Sequence, residues 1–232
     1  MCRRIFVDSS LDELIGHFTF ADRGEVDGLD DRFPRYNGYP KEVYPIIISG
    51  SAQKPGASAS TFVMAVWDFT PSWMKPSRRR PSANLPCEGI AVNAKFGLAY
   101  QARRCLIPVN GFFEWETLET GRRSQPYAIA MKDGLPFALA GISEIWSHPS
   151  GIDILNFAVL TCAPNEMMAT IHDRMPVILH RNDYARWLST EPDPADLMKP
   201  FPAALMSQWP VARRLNNDKR GGPETITAIE VV

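Results

Sequence analysis

The chain has 232 residues and a net charge of −1, with 45% hydrophobic and 22% charged residues. Such a composition supports a globular core and provides no global basic field, so any anion binding has to come from local clusters. No apolar run reaches the roughly 18 residues of a membrane span, and the opening MCRRIFVDSS lacks the apolar stretch of a secretory leader, so a cytoplasmic location is expected.

Residues 1–7 read as a short strand. Ser10 opens a helix, with Glu13 three residues on as a capping box, and Leu11, Leu14, Ile15 and Phe18 fall on one helical face. Residues 21–36, charged and Gly-containing, read as loop. Val43–Ile48 and Thr61–Phe69 are rich in β-branched and aromatic residues and read as strands. The stretch from Pro71 to Pro86 carries four prolines and the run Arg78-Arg79-Arg80, which predicts an exposed loop. Further strands are predicted at 104–108, 111–117, 126–131, 136–142 and 155–161. Asn165 is expected to cap a short helix ending near His172, and Asn182 another running through Trp187. No repeat or low-complexity linker divides the chain. The pattern predicts a single α+β domain over 1–232, built on a curved, barrel-like, mainly antiparallel sheet with peripheral helices.

The cysteines Cys2, Cys87, Cys105 and Cys162 include no CxxC pair, and the four histidines do not group with them, so neither a zinc site nor disulfides are expected. Cys2 stands apart chemically. Once Met1 is removed it becomes a 1,2-aminothiol, whose α-amine (reference pKa roughly 7.7–8.0) and thiol (roughly 8.5) are both nucleophiles near neutral pH. An amine condenses with an aldehyde to a Schiff base, and a thiol on the same residue can close a five-membered thiazolidine. A buried cysteine at a sheet edge is the alternative.

Glu114 lies among Phe112, Phe113 and Trp115. Facing inward it would be desolvated and suited to moving protons; facing outward it would be an ordinary strand carboxylate. His172 and Arg174 follow the short predicted helix before an extended MPV segment, which suits a phosphate or sugar contact plus an acid, or a simple helix cap. Asn93, in AVNAKFG with Lys95, can orient a neighbouring group through its amide or shape a turn. Trp67 and Trp73 can stack on bases or fill the core.

The order of these segments is informative. MC-x-R at the start, PRYN-x-x-P at 34–40, W-x-x-x-PSW at 67–73, NA at 93, RCLIP-x-x-GFFEW at 104–115 and TCAPNEMMATIHDRMPVIL at 161–179 together resemble the SRAP family, the SOS-response-associated peptidases or abasic-site processing proteins. The resemblance implies an α+β fold with a β-rich centre and a basic channel for single-stranded DNA. It implies a covalent thiazolidine crosslink between the mature N-terminal cysteine and the aldehyde of an abasic site, with associated lyase and self-cleaving peptidase activity. Carried over by motif, Cys2 is the nucleophile, Glu114 the acid/base group, His172 the group that assists opening of the deoxyribose ring, and Asn93 the amide that positions the Cys2 end. Arg4, Asn37, Trp67, Lys95 and Arg174 are the implied DNA contacts. No cofactor or metal is implied, and the expected partner is abasic single-stranded DNA bound by a monomer. Five departures stand out: Arg3 replaces the usual glycine, Trp67-Asp68-Phe69 replaces WGL and sets an acid near the expected DNA path, Lys95 replaces an arginine, the acid that normally follows is missing, and the connection NAKFGLAYQARRC before RCLIP is short. Two other function classes share some of these residues. One is an N-terminal-nucleophile peptidase or amidohydrolase using Cys2, and the other is a non-covalent single-strand binding module.

Overall fold

The structure, a computed structural model, describes residues 3–50, 60–76, 81–117, 123–216 and 221–230. Its strands are β1 (Ile5–Val7), β2 (Ala21–Asp22), β3 (Arg35–Gly38), β4 (Val43–Ser49), β5 (Ser60–Trp67), β6 (Asn84–Pro86), β7 (Arg104–Val109), β8 (Gly111–Thr117), β9 (Arg123–Met131), β10 (Phe137–Ser147), β11 (Asp153–Cys162), β12 (Met175–Pro176), β13 (Ile178–Leu179) and β14 (Met206–Pro210). The α-helices are α1 (Leu11–His17), α2 (Gly97–Ala102) and α3 (Tyr184–Trp187). The expected α+β class with a barrel-like sheet is the observed one.

In the larger sheet β11, β10, β7, β4 and β5 are neighbours in that order, and β5 pairs back onto β11 in parallel, which closes a five-stranded barrel. The other four pairings of that ring are antiparallel. Closure removes the exposed strand edges that an open sheet would leave. Its interior is filled by side chains such as Ile47, Phe62, Leu106, Leu139 and Leu160, all buried. Gly141 of β10 is required there: a Cβ would fall on the Ile107 side chain and the Ala158 carbonyl.

A second, antiparallel sheet runs β14-β9-β8-β1-β3. It is joined to the barrel through Asn110, the one residue between β7 and β8. β8 is buried on both faces. Phe112 belongs to the main core, whereas Phe113 and Trp115 pack with Phe6 and Val211 in a smaller cluster on the other side. Alternation along the strand therefore sets Glu114 on the Phe112 face. Gly111 opens β8 because a Cβ there would meet the Phe6 ring and the Ile129 carbonyl, so its absence lets β1 lie close against β8.

Local expectations fare unevenly. The Ser10–Glu13 capping box is present: the Glu13 amide donates to Ser10 Oγ (3.3 Å) and the Ser10 amide donates to Glu13 Oε2 (2.8 Å). Leu11, Leu14 and Phe18 are buried, and Ile15 is half-buried. The 21–36 region, expected as loop, contains β2, a 3-10 turn at Asp27–Arg32 and the start of β3, anchored by buried Val26, Leu29 and Phe33. Its charges are absorbed locally, since Arg23 bridges Asp12, Asp27 and Asp30. The Pro71–Pro86 stretch is not loop throughout. Its end is β6, which adds in parallel to β11 at Val159–Thr161; the run Arg78–Arg80 lies outside the described residues. Asn165 does cap, but a 3-10 turn (Met168–Thr170), accepting from the Met168 amide at 2.8 Å. Asn182 does not cap: it sits inside the 3-10 turn Arg181–Asp183, and α3 starts at Tyr184.

Candidate active site

Glu114 is a carboxyl held inside the protein. It is 2% exposed, on the inner face of β8, opposite Tyr127 of β9. Burial pushes its carboxyl above the usual carboxylate range; His172 and the Trp115 backbone act against that rise. A carboxyl held this way exchanges its proton closer to neutral pH than a surface glutamate does.

The start of the described chain approaches Glu114 along β1. Ile5 is paired with Phe112, and the Phe113 amide donates to the Arg4 carbonyl at 2.9 Å. The Arg4 guanidinium donates to Asn37 Oδ1 at 2.7 Å and lies 5.2 Å from the centre of the Tyr39 ring, and burial lowers its pKa. Cys2 itself lies outside the described residues. The three other cysteines are buried, and burial pushes their thiols up: Cys87 to about 11, Cys162 to about 12, and Cys105 further still. None of these three has the thiolate character of a nucleophile.

His172 follows the 3-10 turn capped by Asn165. Its Nδ1 accepts from the Arg174 amide at 3.0 Å, which assigns the proton of the neutral ring to Nε2. The Asp173 carboxylate lies 2.9 Å from the same Nδ1, a contact that is attractive only when the ring is protonated.

Arg174 is heavily engaged. Its guanidinium grips Glu88 with two bonds (2.6 and 2.8 Å) and donates to the Thr161 carbonyl (2.5 Å) and hydroxyl (3.2 Å). The bidentate bridge raises the Arg174 pKa and lowers that of Glu88. Nothing in the sequence signalled Glu88, an acid 86 positions away that neutralises this cation, nor Tyr39 beneath Arg4.

Of the expected site residues, the structure therefore brings together Glu114 with His172, His172 with Arg174, and Arg4 with Asn37. Two expectations are corrected. Trp67 is wholly buried, donates from Nε1 to the Ala83 carbonyl (2.8 Å) and stacks on Phe157, so it is a core residue with no ring face to offer a base. Trp73, at 57% exposure, is the tryptophan of that segment with an open ring. Asn37 is 1% exposed and accepts from the Arg4 guanidinium, which it orients. The acid expected near the DNA path, Asp68, is also buried. Asn93 is exposed, and its Oδ1 accepts from the Lys95 amide (2.9 Å), shaping the turn that leads into α2; no hydrogen bond ties it to Glu114 or His172. Lys95 is exposed.

A family model described as SOS response associated peptidase (SRAP) matches residues 1–218. The chain belongs to the SRAP family. It is 32% identical over 235 residues to the abasic site processing protein YoqW of Bacillus subtilis, covering 97% of this chain and 99% of that one. It is 28% identical to the abasic site processing protein HMCES of Xenopus tropicalis, over 88% of this chain and 69% of that one. Among solved structures, a protein from Bacteroides thetaiotaomicron superposes with a TM-score of 0.87 at 21% identity, covering 99% of this SRAP chain and 100% of the other. One from Bordetella bronchiseptica gives a TM-score of 0.73 at 20% identity, over 91% and 100% of the two chains. At these identities the two structures speak to the fold alone.

Proposed function

We propose that this chain is an abasic-site processing protein that crosslinks to single-stranded DNA through Cys2. The observation that carries the reading is the buried Glu114, with its raised pKa and with His172 beside it, at the point where the chain enters β1. Membership of the SRAP family and the names of its relatives support it.

An abasic sugar is mostly a closed hemiacetal. Opening takes one proton from the anomeric hydroxyl and delivers one to the ring oxygen: Glu114 as carboxylate takes the first and becomes the acid, and His172 as imidazolium gives the second from Nε2–H and is reprotonated by solvent. The amine of Cys2, freed by removal of Met1, adds to the aldehyde carbon. Glu114 in its acid form protonates the departing hydroxyl, so the C–O bond breaks and an imine forms. The Cys2 sulfur then adds to the imine carbon and the ring closes. Overall a C–N and a C–S bond replace the carbonyl, and one amine proton and the thiol proton leave with the oxygen as water. Before ring closure the same imine permits strand cleavage by β-elimination, and a self-cleaving peptidase step at Met1 would use the same nucleophile and carboxyl.

Arg4, Lys95 and Arg174 are the proposed phosphate contacts, with Asn37 orienting Arg4 and Asn93 holding the turn that carries Lys95. The protein acts as a monomer and as one domain over 1–232, and needs no metal or cofactor for these steps. The test is a denaturing gel of the protein incubated with a single-stranded oligonucleotide carrying one abasic site. A heat-stable shifted band, absent with Cys2→Ala and slowed in formation or reversal by Glu114→Gln, is expected. Unshifted DNA together with hydrolysis of a peptide would favour a peptidase instead, and a shift only on native gels a non-covalent binder.

A further inference from the structure

The turn between β9 and β10, the end of α1 and the segment at 201–205 enclose a cavity of about 280 Å³ on the far part of β9 from Glu114. Tyr127 is the β9 residue opposite Glu114, and the cavity begins at Met131, four positions on and so roughly 14 Å along the strand. Its floor is apolar, formed by the buried Phe137, Leu179 and Phe201, and the Leu135 and Leu205 side chains at its mouth are each 49% exposed. The polar lining carries two cations, Lys132 and Arg181, against one carboxylate, Asp133; His17 and His180 also line it, and burial beside Arg181 lowers the His17 pKa. Asp133 is already used, accepting from the Leu135 amide at 3.0 Å. Arg181 is held in place by donating to the His17 carbonyl, and the His180 ring lies 4.5 Å from that of Phe201.

We propose that this cavity seats the large apolar C-terminal residue of an acidic peptide segment on a partner protein. Three observations lead there. The volume is below the roughly 300–1,000 Å³ of sites for drug-sized ligands and suits one amino-acid residue. Apolar floor and cationic rim together match an apolar side chain attached to a carboxylate, in a chain whose overall charge is −1 and gives no general attraction for anions. The half-exposed leucines continue the apolar surface outside the cavity, where a peptide backbone would cover them and a free residue-sized molecule would not. None of these residues serves the chemistry at Glu114, so the proposal stands independently of it.

The test is fluorescence anisotropy of the whole protein with a dye-labelled peptide of four aspartates and a C-terminal phenylalanine. Saturable binding is expected, weakened about tenfold or more by Lys132→Glu combined with Arg181→Glu, and weakened by added salt. A matched peptide with asparagines and an amidated terminus should not bind. Thermal melting checks the fold, and Lys132→Glu alone, at an exposed side chain, carries the test if the double variant melts early. Lack of saturation up to about 1 mM, or an unchanged Kd in folded Lys132→Glu, would overturn the proposal. So would equal affinity for N-acetylphenylalanine, which would make the cavity a small-carboxylate site, or displacement of the peptide by a single-stranded oligonucleotide, which would assign it to DNA.

Discussion

Replacing Trp67 separates a core tryptophan from a DNA-stacking one. The indole is wholly buried, donates to the Ala83 carbonyl, stacks on Phe157 at 6.2 Å and meets Tyr44 edge-on at 5.8 Å. Truncation to alanine empties the space of a large ring, which costs about 3–5 kcal/mol, and removes one of the two donors of that carbonyl, which keeps the Val159 amide, about 1 kcal/mol more. Against a total stability of about 5–15 kcal/mol that leaves little margin. Trp67→Phe is the informative variant: it keeps a ring against Phe157 and loses the N–H bond and part of the volume, about 1–3 kcal/mol. At about 2–4 °C per kcal/mol for a chain of this size, Tm falls by roughly 2–12 °C. Below the transition, affinity for single-stranded DNA should stay within about twofold of wild type, whereas a stacked base would be worth about 1–3 kcal/mol of binding. Thermal melting and anisotropy on the same preparations read both quantities. An unchanged Tm with DNA affinity weakened fivefold or more, about 1 kcal/mol, would refute the core assignment.

Glu88→Gln should release Arg174 from its bidentate partner for a phosphate; the slope of log affinity against log salt then steepens by about 0.7 for single-stranded DNA, and an unchanged slope would remove Arg174 from the interface. Arg104, nearly buried, donates to the backbone carbonyls of Trp187, Tyr100, Ser189 and Glu191, so Arg104→Met should cost about 3–5 kcal/mol in urea unfolding, and Arg104→Lys, with three donors, should recover only part of it. Glu114→Gln should alter stability in a pH-dependent way. Burial raises the folded-state pKa, so the folded chain holds this proton to higher pH than the unfolded chain does, and wild-type stability drops as pH rises through that pKa. The neutral glutamine escapes that drop. Its urea midpoint should exceed the wild type's on the alkaline side of the window and lose that advantage on the acid side; a pH-independent difference would contradict the burial argument.

Much of the strand content was visible in local pattern, because β4, β5, β7, β8, β10 and β11 are long enough to show β-branched and aromatic enrichment. The short pairings were not. β2 and β6 have two and three residues and exist because β5 and β11 offer them backbone partners, which leaves no periodic trace. The direction of Glu114 was undecidable from GFFEWE, since β8 is covered on both faces and apolar residues therefore alternate with apolar residues; only the packing of β1 and the barrel distinguishes the two sides. Trp67 was open for the same reason, its burial depending on Phe157 and Tyr44 from distant strands. Motif order carried the family, while the ionic partners of its basic residues, above all Glu88 for Arg174, come from folding.

In the proposed chemistry the amine and thiol of Cys2 together capture an abasic aldehyde. Intact-mass spectrometry of the protein after incubation with an abasic single-stranded oligonucleotide tests it most directly. A species equal to the protein without Met1 plus the oligonucleotide minus one water is expected, and none with Cys2→Ala. Protein lacking Met1 that forms no such species, or an adduct that persists in Cys2→Ala, would contradict it.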